Sequence, residues 1–348
     1  MGFKIIASAA AALLATNAAA APSASKVTYS NTGSSLTFVF QNNLNASEDY
    51  AHVGAILLDP KTPSDGAAAC AALGETLLSN VTIAAHSADF LHALSYLEYN
   101  NQVKKNQQFF IKEGAVTVTQ GVGFTYVAST SKSKEPILCT QSSNSNSPYA
   151  AATATDKLNI SSSGNTYIGY RNQKSFRFSG IPYANTPARF EYSTVYSATG
   201  QVLDATKQGA DCAQAYDGTS QEVCNFLNIQ TPFFPKAGSK SGLKPVLFSI
   251  HGGGFTGGNG GAGSGEDGGN LASREDIVSV EINYRLSTLG FLAIPGTSIL
   301  GNFGIADQIT ALRWVKQNIA SFGKNDPSEW SMPRIRGASM CQAVVLRT

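Results

Sequence analysis

Pro245-Val246-Leu247-Phe248-Ser249-Ile250 runs directly into His251-Gly252-Gly253-Gly254-Phe255. The first six residues are almost continuously apolar, the pattern of a parallel strand covered on both faces. Three glycines immediately after it let the backbone turn sharply and aim N–H groups into a cleft with no Cβ in the way. Donors placed in this manner hold the negative oxygen of a tetrahedral intermediate in acyl transfer, and losing one typically raises the barrier by about 2.7 to 4 kcal/mol. Two other readings compete. The glycine-rich run from Gly257 to Gly269 has the composition of a flexible linker, and Gly258-Asn259-Gly260-Gly261-Ala262-Gly263 fits the dinucleotide-binding pattern G-x-G-x-x-G, with Glu281 at the end of a later strand. That pattern needs its glycines directly after the strand and a helix growing from them. Here it begins eight residues past Ile250 and no apolar helix follows, which argues against a nucleotide.

Ordered blocks on both sides of the turn decide among these readings. Phe178-Ser179-Gly180-Ile181-Pro182-Tyr183-Ala184 is followed by Ala188-Arg189-Phe190, and Glu222-Val223-Cys224-Asn225-Phe226-Leu227-Asn228-Ile229 by Thr231-Pro232. Asn283-Tyr284-Arg285, Leu289-Gly290-Phe291-Leu292, Gly301-Asn302-Phe303-Gly304, Asp307-Gln308 and Ala311-Leu312-Arg313-Trp314-Val315 come after. From about Asn159 to Pro327 the chain resembles the N-terminal part of the type B carboxylesterase family, the cholinesterase-like branch of the α/β-hydrolases. The resemblance implies an α/β fold over 158–327, a partial α/β-hydrolase with a truncated central sheet. It implies a small-molecule carboxylic ester as substrate, serine acyl-enzyme chemistry and no cofactor. It assigns the oxyanion N–H groups to Gly253 and Gly254 and the turn to Gly252. It also implies a Cys212–Cys224 disulfide and two structural ion pairs, Arg189–Glu222 and Arg285–Asp307, for which separate surface charges remain the alternative.

The same resemblance exposes what is missing. Ile305 to Ile319 reads as an amphipathic helix with Ile305, Ile309, Leu312 and Val315 on one face. A buried strand and a G-x-S-x-G elbow should follow, its serine being the nucleophile. Instead, 328–336 contains Pro333, Arg334 and Arg336, which do not suit a central strand. The nearest string to an elbow, Gly337-Ala338-Ser339-Met340-Cys341, lacks the last glycine, so Ser339 reads as an ordinary serine. The triad order in this fold is Ser, acid, His, and no acidic residue or histidine follows Ser339. Met332, Met340 and the unmatched Cys341 mark 328–348 as an aberrant tail, the expected trace of a misread exon boundary or frameshift. The nucleophile, acid and base are thus absent, the polypeptide is expected to be inactive, and its sheet is expected to end in an open, aggregation-prone edge.

Ahead of the esterase-like region, the apolar, alanine-rich run after Lys4 and the small residues 18–21 read as a signal peptide over 1–21 rather than a membrane anchor. Asn45, Asn80 and Asn159 open N-x-S/T triplets, candidate glycosylation sites in an exported chain. Five cysteines permit two disulfides. A net charge of +2 with 14% charged residues offers no basic field for nucleic acid and no polybasic membrane patch. Residues 26–141 read as an independent α+β module, with strands at Leu36–Phe40, Phe109–Lys112, Val116–Thr119, Phe124–Val127 and Pro136–Leu138, and helices at Ala67–Leu78 and Ala88–Tyr99. Cys70 and Cys139 are its only cysteines and are expected to pair. The order of these elements over 50–141 resembles a C-type-lectin-like module, which implies a possible glycan contact; Ile137 after Glu135-Pro136 leaves it without a calcium signature. The Ser/Asn/Ala-rich stretch 142–157 reads as a linker. A secreted carboxylic ester hydrolase is the first functional expectation, and a non-catalytic cholinesterase-like or carbohydrate-binding adhesion protein the alternative.

Overall fold

The computed structural model describes residues 33–323 except 120–121, 129–132, 144, 146, 148–149, 216, 237–243 and 262–266, together with 342–346. The signal-peptide reading of 1–21 and the reading of Ser339 lie outside the described residues. Fifteen strands and six α-helices follow in chain order among the described residues. The first layer holds β1 (Leu36–Val39), β2 (Ala55–Lys61), α1 (Pro63–Ala72), α2 (Asn80–Ala85), α3 (Ser87–Tyr99), β3 (Gln108–Ile111), β4 (Gly114–Thr119), β5 (Gly123–Val127) and β6 (Glu135–Thr140). The second holds β7 (Lys157–Ser162), β8 (Asn165–Arg171), β9 (Phe176–Pro182), β10 (Val202–Asp204), β11 (Phe226–Thr231), β13 (Val246–Ile250), α4 (Gly269–Glu275), β14 (Val278–Ile282), α5 (Ser287–Phe291), α6 (Phe303–Asn318) and β15 (Gln342–Leu346), while β12 (Phe233–Phe234), between β11 and β13 in the chain, joins the first.

Local chemistry explains the start and stop of α1. Thr62 caps it by accepting from the Asp65 N–H, and Pro63 fills the first helical position, where no N–H is needed. The helix ends at Ala72 rather than running to Leu78 as the apolar spacing suggested. Gly74 takes φ +73°, and beyond it Leu77 bridges to Cys139 while the Leu78 N–H donates to Leu138 O, so this stretch joins the sheet. Cys70 and Cys139 are bonded, tying α1 to β6 with a Cα–Cα distance of 5.4 Å.

The first layer does not stand alone, contrary to its reading as an independent module. Its seven-stranded sheet runs β12-β1-β2-β6-β3-β4-β5, and β12 comes from the far side of the chain, Phe233 and Phe234 pairing antiparallel with Thr37 and Leu36. Phe176 packs edge-on to Phe38 at 5.2 Å and against Phe234 at 4.5 Å, so a single apolar cluster extends through both sheets. Buried ion pairs cross the same boundary, Arg171 to Glu75 at 3.0 Å and Lys174 to Asp49 at 2.7 Å. The stretch read as a linker has no helix or strand between 141 and 156 among its described residues, yet it is strapped down. Ser142 donates through N and Oγ to Glu75, Ser143 Oγ to Arg171 O, and Gln141 Nε2 to Asn172 O.

The second sheet runs β10-β8-β9-β11-β14-β13-β15, with β7 also on β8. The stretch Val246–Ile250 is indeed parallel to a neighbour, β14, and its other edge is not open: β15 pairs with it antiparallel, Leu346 opposite Val246. The segment 342–346 therefore covers the β13 edge, and β15 becomes the terminal strand on this side of the sheet among the described residues. α6 forms where periodicity placed a helix but buries a different face. Asp307, Ala311, Trp314, Val315 and Asn318 turn inward, while Ile305 and Ile309 stay 36% and 45% exposed. A carboxylate at 307 outcompetes the isoleucines for the interior because a buried arginine waits for it.

Candidate active site

The turn after β13 is built on a buried aromatic stack. His251 lies over Tyr284 at 4.4 Å between ring centroids, and Tyr284 Oη donates to His251 O at 3.0 Å. The His251 Nδ1 faces Gly252 O at 2.8 Å, so the imidazole is committed to holding the chain and is buried. Gly253 follows at φ +110°, and a Cβ there would overlap the Gly257 carbonyl oxygen. Gly254 takes φ +59° in open space. Left-handed backbone of this kind favours glycine. Gly253 O accepts from Thr256 N at 3.1 Å and from Gly257 N at 3.3 Å, closing the turn. Ser287 N anchors it to the start of α5 by donating to Phe255 O at 2.7 Å. Both Gly253 and Gly254 are exposed, and among the described residues their N–H groups donate to no acceptor.

The other residues singled out from sequence fall into two groups. Arg285 and Asp307 form a buried two-pronged pair, Nε to Oδ2 at 2.8 Å and Nη2 to Oδ1 at 2.9 Å, and the Arg285 N–H also donates to Oδ2 at 3.0 Å. This pins α6 to the chain leaving β14, with Phe303 beneath the guanidinium at 5.6 Å. Arg189 and Glu222 also pair, but on the surface, with side chains 66% and 44% exposed. Solvent screens such a pair and it contributes little. The Cys212–Cys224 disulfide is formed. Asn159 is corrected as a glycosylation candidate: it sits inside β7 at 4% exposure, where no glycan fits. Asn45 is exposed and Asn80 half-buried at the start of α2.

Glu281 lies one residue before the end of β14. It is buried in β14 against Ser279 Oγ at 2.8 Å, and burial pushes its carboxyl up to about 8, with nearby Asp267 adding to the rise while Ser279, Gln230 and Arg177 oppose it. A cavity of about 600 Å³ between the two sheets is lined by Ser35, Asp59, Gln102, Phe233, Lys244 and Asp276 among others, and by no residue of the glycine turn. Among the described residues no group of three or more His, Cys, Asp or Glu side chains is placed to hold a metal ion, and no helix is long and apolar enough to cross a membrane. Sequence reasoning missed Asp211, Gln214, Asn228 and Asn283, whose side chains all hydrogen-bond to residues 258–260. Asp211, Gln214 and Asn283 lie in irregular segments, which carry no periodic signal, and Asn228 lies within β11, where the strand pattern does not mark its amide as a partner of Gly260.

Residues 163–329 match the model of the carboxylesterase family. Over this segment, just under half of the chain, the sequence is similar to the carboxylesterase family. The chain is similar to Esterase E4 of Myzus persicae, 36% identical over 189 residues that make up 51% of this chain and 34% of the relative. It is also similar to the juvenile hormone esterase of Heliothis virescens, 34% identical over 185 residues, 49% of this chain and 32% of the relative. The chain thus spans about a third of the length of these curated relatives. Among solved structures, a carboxylesterase of Geobacillus stearothermophilus aligns at 34% identity with a TM-score of 0.43, covering 49% of this chain and 36% of that one.

Proposed function

We propose that residues 158–327 supply the oxyanion-hole half of a carboxylic ester hydrolase that works through a serine acyl-enzyme on small-molecule esters. The observation that carries this reading is the pair of exposed N–H groups at Gly253 and Gly254 that donate to no acceptor among the described residues, presented by a turn that favours glycine, within a segment similar to carboxylesterases. Serine attack on the ester carbonyl moves charge onto the carbonyl oxygen; the two N–H groups hold that oxyanion, and water then releases the acid. Arg285 and Asp307 serve this structurally, by fixing α6 against the chain that follows β14.

The scheme also needs a base, and none of the four histidines supplies it. His251 is stacked and buried under the turn, while His52, His86 and His92 belong to the first layer. A polypeptide of these 348 residues is accordingly read as non-hydrolytic. Export is part of the same reading, supported by two disulfides, which persist in oxidising compartments, and by the exposed acceptor Asn45.

p-Nitrophenyl butyrate hydrolysis provides the test, applied to the 348-residue chain and to a chimera whose residues after Pro327 come from Esterase E4. The chain should show no turnover. The chimera should hydrolyse the ester, and Gly253→Ala should lower its kcat by about 100-fold or more. Turnover by the chain itself would overturn the absence of a base. A chimera that unfolds cooperatively on heating yet never hydrolyses the ester would overturn the oxyanion assignment.

A further inference from the structure

We propose that the loop closed by the Cys212–Cys224 disulfide is the positioning element of the oxyanion turn, and that Gln214 is the residue through which it acts. The inference rests on the esterase reading of that turn. The Gln214 carboxamide grips both sides of one residue: Oε1 accepts the Gly258 N–H at 2.8 Å, and Nε2 donates to Gly258 O at 3.2 Å. Nε2 also donates to Cys212 O at 3.2 Å, which ties the side chain back to its own loop. One residue further, Asn259 Nδ2 donates to Asp211 Oδ2 at 2.8 Å, Asp211 being the neighbour of Cys212. Gly260 is held by other amides, its N–H by Asn283 Oδ1 at 2.7 Å and its carbonyl by Asn228 Nδ2. Three successive residues of a glycine-rich segment are therefore latched through side chains, Gly258 by Gln214 from within the disulfide loop and Asn259 by Asp211 directly before it.

The latch reaches the oxyanion donors through short, stiff links. The turn closed on Gly253 O ends at Gly257, directly before Gly258. Gly258 takes φ +115°, and a Cβ on it would overlap the His251 ring and Gly252 O, so this residue packs against the base of the turn. Fixing Gly258 thus fixes the far end of a short backbone loop whose near end carries Gly253 and Gly254. Gln214 is itself fixed, because its loop is a narrow pair of segments: Gln221 N donates to Asp211 O at 2.8 Å, Ala213 N donates to Gln221 O at 2.9 Å, and the disulfide crosses beside them with a Cα–Cα distance of 4.9 Å. A glycine-rich loop has the most conformational freedom to lose, so donors that must be preorganised need such an outside grip.

Residue-resolved amide exchange and chemical shifts on the 348-residue chain test the proposal without requiring hydrolysis. Gln214→Ala should speed exchange of the Gly258 amide about 5- to 10-fold, the loss of one hydrogen bond, and should shift the Gly253 and Gly254 resonances. Gln214→Glu keeps an oxygen for the Gly258 N–H and should restore its protection. The double variant Cys212→Ser with Cys224→Ser should reproduce the Gln214→Ala pattern, with β11 and α6 amides unchanged as the control for folding. Unmoved Gly253 and Gly254 resonances in Gln214→Ala would overturn the proposal. So would equal loosening of β11 and α6, which would make Gln214 a general stabiliser. A failed latch would leave hydrolysis by the chimera untouched, and a failed esterase assignment would leave the exchange result standing.

Discussion

Replacing Glu281 by glutamine should make the protein more stable at neutral and alkaline pH, and the size of the gain follows from where the carboxyl sits. Glu281 is fully buried in β14, and burial raises its pKa from the usual 4.5 to about 8. Below pH 4.5 both the folded and unfolded chains carry the proton. Between 4.5 and 8 only the folded chain does, so folding takes up a proton and stability falls as pH rises through that window. At 1.36 kcal/mol per pH unit, the carboxyl costs about 3 kcal/mol of stability at pH 7 relative to low pH. That is a large share of the roughly 5 to 15 kcal/mol that holds a typical domain together. Glu281→Gln keeps the volume and an oxygen to accept from Ser279 Oγ, and it removes the titration. Urea unfolding at pH 5 and pH 8 measures the effect. The wild type should lose about 3 kcal/mol more than the variant between the two pH values. Parallel pH dependence in the two proteins would refute the argument, because it would mean that Glu281 is ionised, paired with Arg177, in the folded chain.

Three further outcomes are expected. Asp307→Asn leaves the Arg285 guanidinium buried without its partner and should cost about 3 to 5 kcal/mol, whereas Glu222→Gln, at the exposed pair, should leave the thermal midpoint unchanged. Calorimetry on the two variants checks this contrast. The Cys70–Cys139 bond spans 69 residues and Cys212–Cys224 spans 12, so by chain entropy their removal should cost about 4 and about 3 kcal/mol respectively, measured by urea unfolding of the paired serine variants. Expressed in a secretory host, Asn45→Gln should remove a glycan detectable by mass spectrometry, while Asn159→Gln should change nothing, since Asn159 is enclosed in β7.

The candidate site was legible in sequence to the extent that its parts were contiguous. Val246 to Phe255 announces a buried strand and a glycine turn within ten residues, and both are present. Arg285 and Asp307 were paired through motif order and are joined in the fold. The grip on the turn was not legible. Gln214, Asn228 and Asn283 come from three separate segments, and nothing in the neighbourhood of each states that their amides converge on 258–260.

Sequence by itself determined β1, β3 to β6 and β13, a helix over most of 303–318, the glycine turn and the carboxylesterase resemblance of 163–329, because these rest on local periodicity, on backbone conformations open to few residues, and on ordered motifs. Tertiary structure alone decided which distant segments meet. It put Phe233 and Phe234 into the first sheet, turned Asp307 rather than Ile305 and Ile309 inward, buried Asn159 and Glu281, and closed the edge of β13 with 342–346. Each of those outcomes is a competition for the same interior, settled by which buried charge finds a partner and which strand edge finds a neighbour. Such competition depends on contacts across the whole fold, which no stretch of sequence contains.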